Sequence, residues 1–262
     1  MIRALYTAAS GMSAQQLNLD TIANNLANSS TTGFRQTRLQ FQDMVYQNLV
    51  TPGAAQSQST VSAGLQIGLG TKSAATEVIQ TQGELNQTNN QYDVAIEGSG
   101  FFQVQRPDGS IAYTRAGQFH LNSQGTIVTT DGDPLIPTIT VPTNATAVTI
   151  TNYGVVNATI SGQTNPSQLG QLQLATFPNS GGLESMGGNL LQATLSSGDP
   201  VLGNPGGTEG LGTMQQGYLE NSNVDVVTEF VQMVLAQRAY ESNSKVIKTA
   251  DDMYAEVNNM TK

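Results

Sequence analysis

IRALYTAASGMSAQQLNLDTIANNL, residues 2–26, carries a helical repeat. Ile2, Leu5, Ala9, Met12, Leu19, Ala23 and Leu26 recur at three- and four-residue spacing, and Gln16 interrupts the stripe with a polar group. Only Arg3 and Asp20 are charged within residues 1–34, so the face opposite the stripe is polar but hardly ionic. Such a helix is poorly suited to stand in water by itself. Residues 28–33 are a run of helix-ending types, and Gly33 is free to take positive φ, so the helix is expected to stop there.

The far end of the chain mirrors this arrangement. Ser222-Asn223-Val224-Asp225 offers a hydroxyl cap with a carboxylate three residues on, and a long helix is expected to follow. One stripe on it runs Val226, Phe230, Met233, Gln237, Tyr240, Ser244, Ile247, Asp251 and Tyr254; a second runs Val231, Leu235, Ala239, Val246, Ala250, Met253 and Val257. Together they cover more than one side. Glu241 precedes Lys245 in the favourable order for an intrahelical pair, and Asp225 with Glu229 suits the positive end of the helix dipole.

Between the helices the pattern changes to short β-branched and aromatic runs: Val94–Glu97, Phe101–Gln105, Ile111–Thr114, 127–130, 148–151, Val155–Ile160 and 172–177. Pro107-Asp108-Gly109 and Asp131-Gly132 mark turns. Residues 72–197 are therefore expected to form an antiparallel sheet or irregular barrel. Two joints flank it. Residues 51–70 are uncharged and rich in small side chains, and residues 198–221 hold so many Gly and Pro that little regular structure is expected there. The expected class is α+β: long terminal helices paired as a coiled-coil layer, with an all-β middle. Its segments are 1–33, 34–71, 72–197, 198–221 and 222–262.

Composition excludes several functions. Charged residues make up 11 % of the 262, well under the roughly 25 % usual for soluble domains, and uncharged polar residues take their place. That deficit suits surfaces which end against other protein, because uncharged polar groups are buried far more cheaply than ions. A net charge of -9 and the lack of any basic patch argue against nucleic acid as a partner. With no cysteine and one histidine, disulfides, thiol catalysis and Cys- or His-based metal sites fall away. No run approaches a membrane span, and residues 1–6 lack the pattern of a cleaved leader, so neither a membrane span nor exit by the ordinary secretory route is expected.

The remaining chemistry-like motifs have plainer readings. Glu97-Gly98-Ser99-Gly100-Phe101 lacks the third glycine, the following Lys and the helix of a phosphate-binding loop, so it reads as a turn at a strand edge. Asp131-Gly132-Asp133 has no acidic residue closing a calcium loop. His120 alternates within Gln118-Phe119-His120-Leu121 as a strand residue does, with no evident nucleophile to serve. Asp251, Asp252 and Glu256 lie beside Lys248 as surface charges do. No catalytic residue, cofactor or metal site is expected. From periodicity alone, the two helices read equally as a pair inside a monomer or as elements that neighbours complete.

Ala9-Ser10-Gly11-Met12-Ser13-Ala14-Gln15-Gln16, followed by Ile22-Ala23-Asn24-Asn25-Leu26-Ala27-Asn28 and Thr32-Gly33-Phe34-Arg35, closely resembles the amino-terminal signature of bacterial flagellar rod and hook proteins. Ser222 to Asp225, Glu229, Met233-Val234, Gln237-Arg238-Ala239-Tyr240-Glu241 and Asn243-Ser244-Lys245 resemble the same family's terminal signature. In the middle, Ala95 to Val104 and Tyr113-Thr114-Arg115-Ala116-Gly117-Gln118-Phe119 resemble its shared core. The likeness spans nearly the whole chain.

The resemblance implies a structural subunit that polymerises around a central export channel, helices inside and β domain outside. Carried onto this chain, it implies an assembly interface of Ile2, Leu5, Ala9, Met12, Gln16, Leu19, Ile22, Asn24, Asn25, Leu26, Asn28, Gly33 and Phe34 at one end. Val226, Phe230, Met233, Val234, Gln237, Arg238, Tyr240, Ile247 and Tyr254 belong to it at the other. Arg238 and Asn24-Asn25 would fix helix register between subunits. Residues 46–70 resemble the distal rod members of the family, making Pro52, Gly53, Gly64, Leu65 and Ile67 a rod-specific segment. Implied partners are further copies of the chain in a helical polymer, proximal rod proteins, hook and hook-assembly proteins, P-ring and L-ring proteins, and the flagellar type III export apparatus. The implied location is the flagellar basal body, from periplasm to outer membrane, reached by export without a cleaved signal peptide. Within the family, a proximal rod or hook-type axial subunit is the alternative, and two readings from other classes stand beside it: a cell-envelope carbohydrate-binding β protein, and a peptidoglycan hydrolase.

Overall fold

A computed structural model of the chain describes residues 2–50, 55–56, 59–60, 64–163, 165–207 and 210–260. Two compact units result, each drawn from separate stretches: Met1–Ala27, Thr37–Val78 and Asp225–Lys262 form the first, Asn28–Gln36 and Ile79–Val224 the second.

The first unit contains both long helices, α1 (Ile2–Ala27) and α2 (Val226–Met260), packed along one another. α1 stops at Ala27, where the helix-ending run begins. α2 starts one turn later than Ser222 suggests. Its cap is Asp225: one carboxylate oxygen accepts the Val227 amide at 3.0 Å and the other the Thr228 hydroxyl at 2.6 Å. The Ser222 hydroxyl instead accepts the Val224 amide at 3.3 Å. The Glu241–Lys245 pair does not form; neither residue makes an ion pair within 4.0 Å among the described residues. Alongside the helices runs a narrow antiparallel ribbon. Thr37–Asp43 pairs with Thr71–Val78, Tyr46–Val50 with Leu65–Gly68, and Ala55–Gln56 with Ser59–Thr60. The composition of residues 51–70 hides these pairings, because each strand is fixed by its partner's backbone and has little apolar alternation of its own.

The second unit is β-rich, and every described pairing in it is antiparallel. Val94–Glu97, Phe101–Gln105, Ile111–Thr114 and Val155–Ile160 form strands over the expected spans. A seven-stranded sheet centres on Phe101–Gln105. Ile111–Thr114, Leu190–Gln192 and Glu184–Gly187 follow on one side, with Leu174–Thr176, Val201–Gly203 and Leu135–Ile136 on the other. Ala145–Ile150, Val155–Ile160 and Ser167–Gln171 make a three-stranded sheet. These sheets stay open among the described residues, so the barrel alternative does not hold. The expectation of little regular structure in residues 198–221 also fails: Val201–Gly203 pairs with Leu174–Thr176, Thr213–Gln216 with Val94–Glu97, and Tyr218–Glu220 with Leu85–Gln87.

Strand alternation sorts the core. Phe102 and Val104 point into one cluster with Ile96, Phe119, Leu174 and Met214, while Phe101 joins Tyr113, Phe177 and Leu183 in another. Phe102 meets Phe119 edge-on at 5.0 Å, and Tyr113 meets Phe177 edge-on at 4.8 Å. His120 is exposed beside buried Phe119, and Asp131-Gly132-Asp133 forms a tight turn closed by the Gly132 amide on the Thr129 carbonyl.

Candidate assembly interface

The helix pair is built on small and polar residues. On α2 the inward set is Glu229, Met233, Ala236, Asn243, Ile247, Ala250 and Tyr254, spaced at three, four or seven. On α1 the residues buried against α2 or the ribbon are Ala8, Ala14, Ile22 and Asn25, with Gly11 half-buried opposite Asn243. Gly11 leaves room for this approach, since a Cβ there would come 2.8 Å from the Asn243 side-chain nitrogen and that side chain would have to shift. Small residues let the helices come close while leaving little apolar area between them.

Larger apolar side chains of α2 point elsewhere. Val227, Val231, Val234, Leu235, Val246, Met253 and Val257 are all exposed, Val227 by 72 % and Leu235 by 61 %. At 100° per residue Val227, Val231 and Val234 fall on the side opposite the inward set, and Leu235, Val246, Met253 and Val257 fall on its flank. This outward stripe matches most of the second stripe read from sequence. Of the first stripe, Met233, Ile247 and Tyr254 are half-buried, whereas Val226, Phe230, Gln237 and Tyr240 are exposed. Val234 also stands exposed.

On α1, Ile22 and Asn25 are buried; Leu5, Met12, Leu19 and Leu26 are half-buried; Ala9, Gln16 and Asn24 face out. Ile2 opens α1, and its side chain lies outside the described residues. Tyr6 and Leu17 are exposed apolar residues absent from the expected interface. Asn25 spends its amide within the chain, accepting the Thr37 N–H at 3.0 Å and donating to the Thr37 carbonyl at 2.8 Å, so it ties α1 to the ribbon as a strand partner would. Arg238 is exposed and joins no ion pair among the described residues.

The ribbon is unusually apolar for so thin an element. Phe41, Met44, Val45, Tyr46, Leu49, Val50, Leu65 and Ile67 are exposed on it. Gly64 is half-buried, while Pro52 and Gly53 lie outside the described residues.

In the second unit, residues 28–36 and 217–224 are held by a charged cluster that sequence reading does not find. Glu220 is 1 % exposed and bridges two guanidinium groups, Arg115 Nε at 2.6 Å and Arg35 Nη2 at 2.7 Å. Arg115 also donates to the carbonyls of Ile96 at 3.0 Å, Gly98 at 2.6 Å and Gly100. The glycine loop 97–101 thus turns carbonyl oxygens toward a cation, the reverse of a phosphate-binding loop. Burial pulls the Arg35 pKa down, Glu220 opposes that, and neighbouring Arg115 adds to it. Gly33 sits at φ 70°, half-buried with Phe34, and donates its amide to the Glu220 carbonyl at 2.8 Å. A Cβ on Gly33 would meet the Ala116 nitrogen at 2.8 Å. Asn28 is half-buried and its side chain accepts the Thr31 hydroxyl at 3.1 Å. The signal for this cluster was the rarity of charge itself: Arg115 stands between Thr114 and Ala116 in a chain with few ions.

Among the described residues, no group of three or more His, Asp or Glu side chains gathers to hold a metal ion, and no helix is long and apolar enough to cross a membrane. Three family models match: "Flagella basal body rod protein" over residues 5–35, "Flagellar hook protein FlgE/F/G D1 domain" over 95–158 and "Flagellar basal body rod FlgEFG protein C-terminal" over 215–260. The chain is 50 % identical to the flagellar basal-body rod protein FlgG of Buchnera aphidicola subsp. Acyrthosiphon pisum over 254 residues, covering 97 % of each chain. It is 46 % identical to FlgG of Borreliella burgdorferi over 263 residues and 39 % identical to that of Bacillus subtilis over 264, covering 99 % of each chain in both cases. With three models at the start, middle and end, and such relatives along nearly its whole length, the chain belongs to the FlgG family of flagellar basal-body rod proteins.

Proposed function

We propose that this rod subunit builds the distal part of the flagellar rod, polymerising through its terminal helices into a helical tube that carries motor torque across the periplasm and encloses the export channel. The observation that carries this reading is the outward apolar stripe of α2, because a face of exposed Val, Leu and Met side chains is stable in water only when something covers it. Contacts between different patches on successive copies extend into a helical filament when the rotation between copies does not close a ring. Within the polymer, α1 and α2 act as a coiled-coil inner layer. The free subunit leaves them largely unfolded, since a helix packed on one side only does not offset the backbone entropy of ordering it.

In this reading the catalytic machinery of a hydrolase is not required, and the work is mechanical. The partners are further copies of the chain, proximal rod proteins on one side and hook and hook-assembly proteins on the other, with the P-ring and L-ring proteins around the rod. Delivery is through the flagellar type III export apparatus. The apolar ribbon that includes Leu65 and Ile67 serves as the rod-specific contact between copies.

Negative-stain microscopy of concentrated protein tests the proposal. Full-length chain should form filaments, and chain lacking residues 1–27 should not. Equal filaments from both, or a chain that stays single in the presence of isolated rod tips, would overturn it.

A further inference from the structure

A cleft of about 350 Å³ opens in the second unit, lined by Arg35, Arg115, Ser99 and Phe177 together with the backbone of Gly98 and Gly100. Its charge is unbalanced. Two guanidinium groups, 10 % and 4 % exposed, share one carboxylate, and among the described residues no second acidic side chain comes within 4.0 Å of either. Arg35 Nε is buried without a hydrogen-bond partner. A buried positive charge in excess of its counter-ions is costly, and an anion entering the cleft would relieve both that charge and the repulsion between the two cations. The surroundings suit a small, flat anion. Phe101 and Phe177 supply apolar wall, and guanidinium N–H groups bond carboxylates with matching geometry.

We propose that this cleft binds one carboxylate, held by the Arg35 guanidinium group beside the positive charge of Arg115, whose own N–H groups are largely taken by Glu220 and the carbonyls of Ile96, Gly98 and Gly100. The carboxylate comes either from a dissolved organic acid or from an Asp or Glu side chain of a second copy. The site itself does not depend on the assembly reading above; only the second source does.

Acetate is the probe. Isotope-labelled full-length chain is titrated with sodium acetate against sodium chloride at fixed ionic strength, following the amides of Gly98, Ser99 and Gly100. Saturable shifts confined to these amides and specific to acetate are expected. Arg35→Gln should weaken the apparent affinity about tenfold, as loss of a charge-assisted hydrogen bond does. Should Arg35→Gln fail to fold, Ser99→Asp serves instead: Ser99 is exposed, and a carboxylate there fills the cleft from within, so the acetate shifts should vanish. Identical shifts in acetate and chloride, or undiminished acetate binding by Ser99→Asp, would overturn the site. The concentration at which filaments appear separates the sources. A rise of several-fold for Ser99→Asp identifies a neighbour's side chain, whereas an unchanged threshold with saturable acetate binding identifies the dissolved acid.

Discussion

Glu220 shows how one side chain can organise a surface of the β-rich unit. Its two oxygens meet two cations, its backbone carbonyl takes the Gly33 amide, and Oε1 also accepts the Gly83 amide at 2.9 Å. Glu220→Gln keeps the volume and removes the charge, leaving Arg35 and Arg115 buried and repelling one another. Breaking a buried pair from one side costs roughly 3–5 kcal/mol, so the denaturation midpoint of this unit should fall by the corresponding amount. At the start of α2 the chemistry is exposed and titratable. The Thr228 hydroxyl, then the Val227 amide, hold Asp225 below its ordinary carboxylate pKa. A group depressed on folding stabilises fully above its unfolded pKa, and that contribution is lost as pH falls through the lowered value. In the assembled protein, the protection of the Val227 amide relative to its intrinsic exchange rate should therefore fall once pH drops below the ordinary carboxylate range of about 4. Asp225→Asn, which caps without titrating, should flatten that dependence; an unchanged pH profile would mean that the cap does not control the helix end.

At the scale of elements, the two helices approach closely where Gly11 faces Asn243. Gly11→Val adds a branched side chain where even a Cβ crowds Asn243, and overpacking of this kind costs about 1–3 kcal/mol. Asn243→Ala removes the obstruction, so in filaments the double variant should recover most of the helical circular dichroism lost in the single one. Additive losses would show that the two residues do not touch. Elements differ in how far the sequence reveals them. Phe101–Gln105 and Ile111–Thr114 were legible because β-branched and aromatic residues fill them and Pro107-Asp108-Gly109 marks the turn between. Thr213–Gln216 was not, because its Thr, Met and two Gln form a strand only through the backbone of Val94–Glu97. Arg115 and Glu220 stand 105 residues apart, a distance at which no local pattern can pair them. The apolar stripes of α1 and α2 were visible. Which stripe faces the partner helix was not, since small Ala8, Gly11, Ala14 and Ala236 line the seam while bulkier residues point away.

For the whole molecule, that choice of seam sets the relation between folding and assembly. Had the large side chains of α2 packed on α1, the helix pair would bury its apolar surface internally and have little reason to bind another copy. With Val231, Val234 and Leu235 outside, the proposed assembly would supply the burial that the single chain lacks. A charge on this face should therefore damage the polymer and spare the subunit. Leu235→Glu, at a side chain 61 % exposed, should change the unfolding free energy of the free chain by less than about 0.5 kcal/mol. In a filament the same carboxylate would be desolvated without a partner, so the polymerisation threshold followed by sedimentation should rise by at least about tenfold. Ile111→Glu is the control, because Ile111 is 46 % exposed at the edge of a strand in the β-rich unit. It should match Leu235→Glu in its small effect on the free chain while leaving the threshold near the parent value. Equal loss of polymer from both would point to net charge as the cause, and no loss from Leu235→Glu would remove the outward stripe of α2 from the assembly contact.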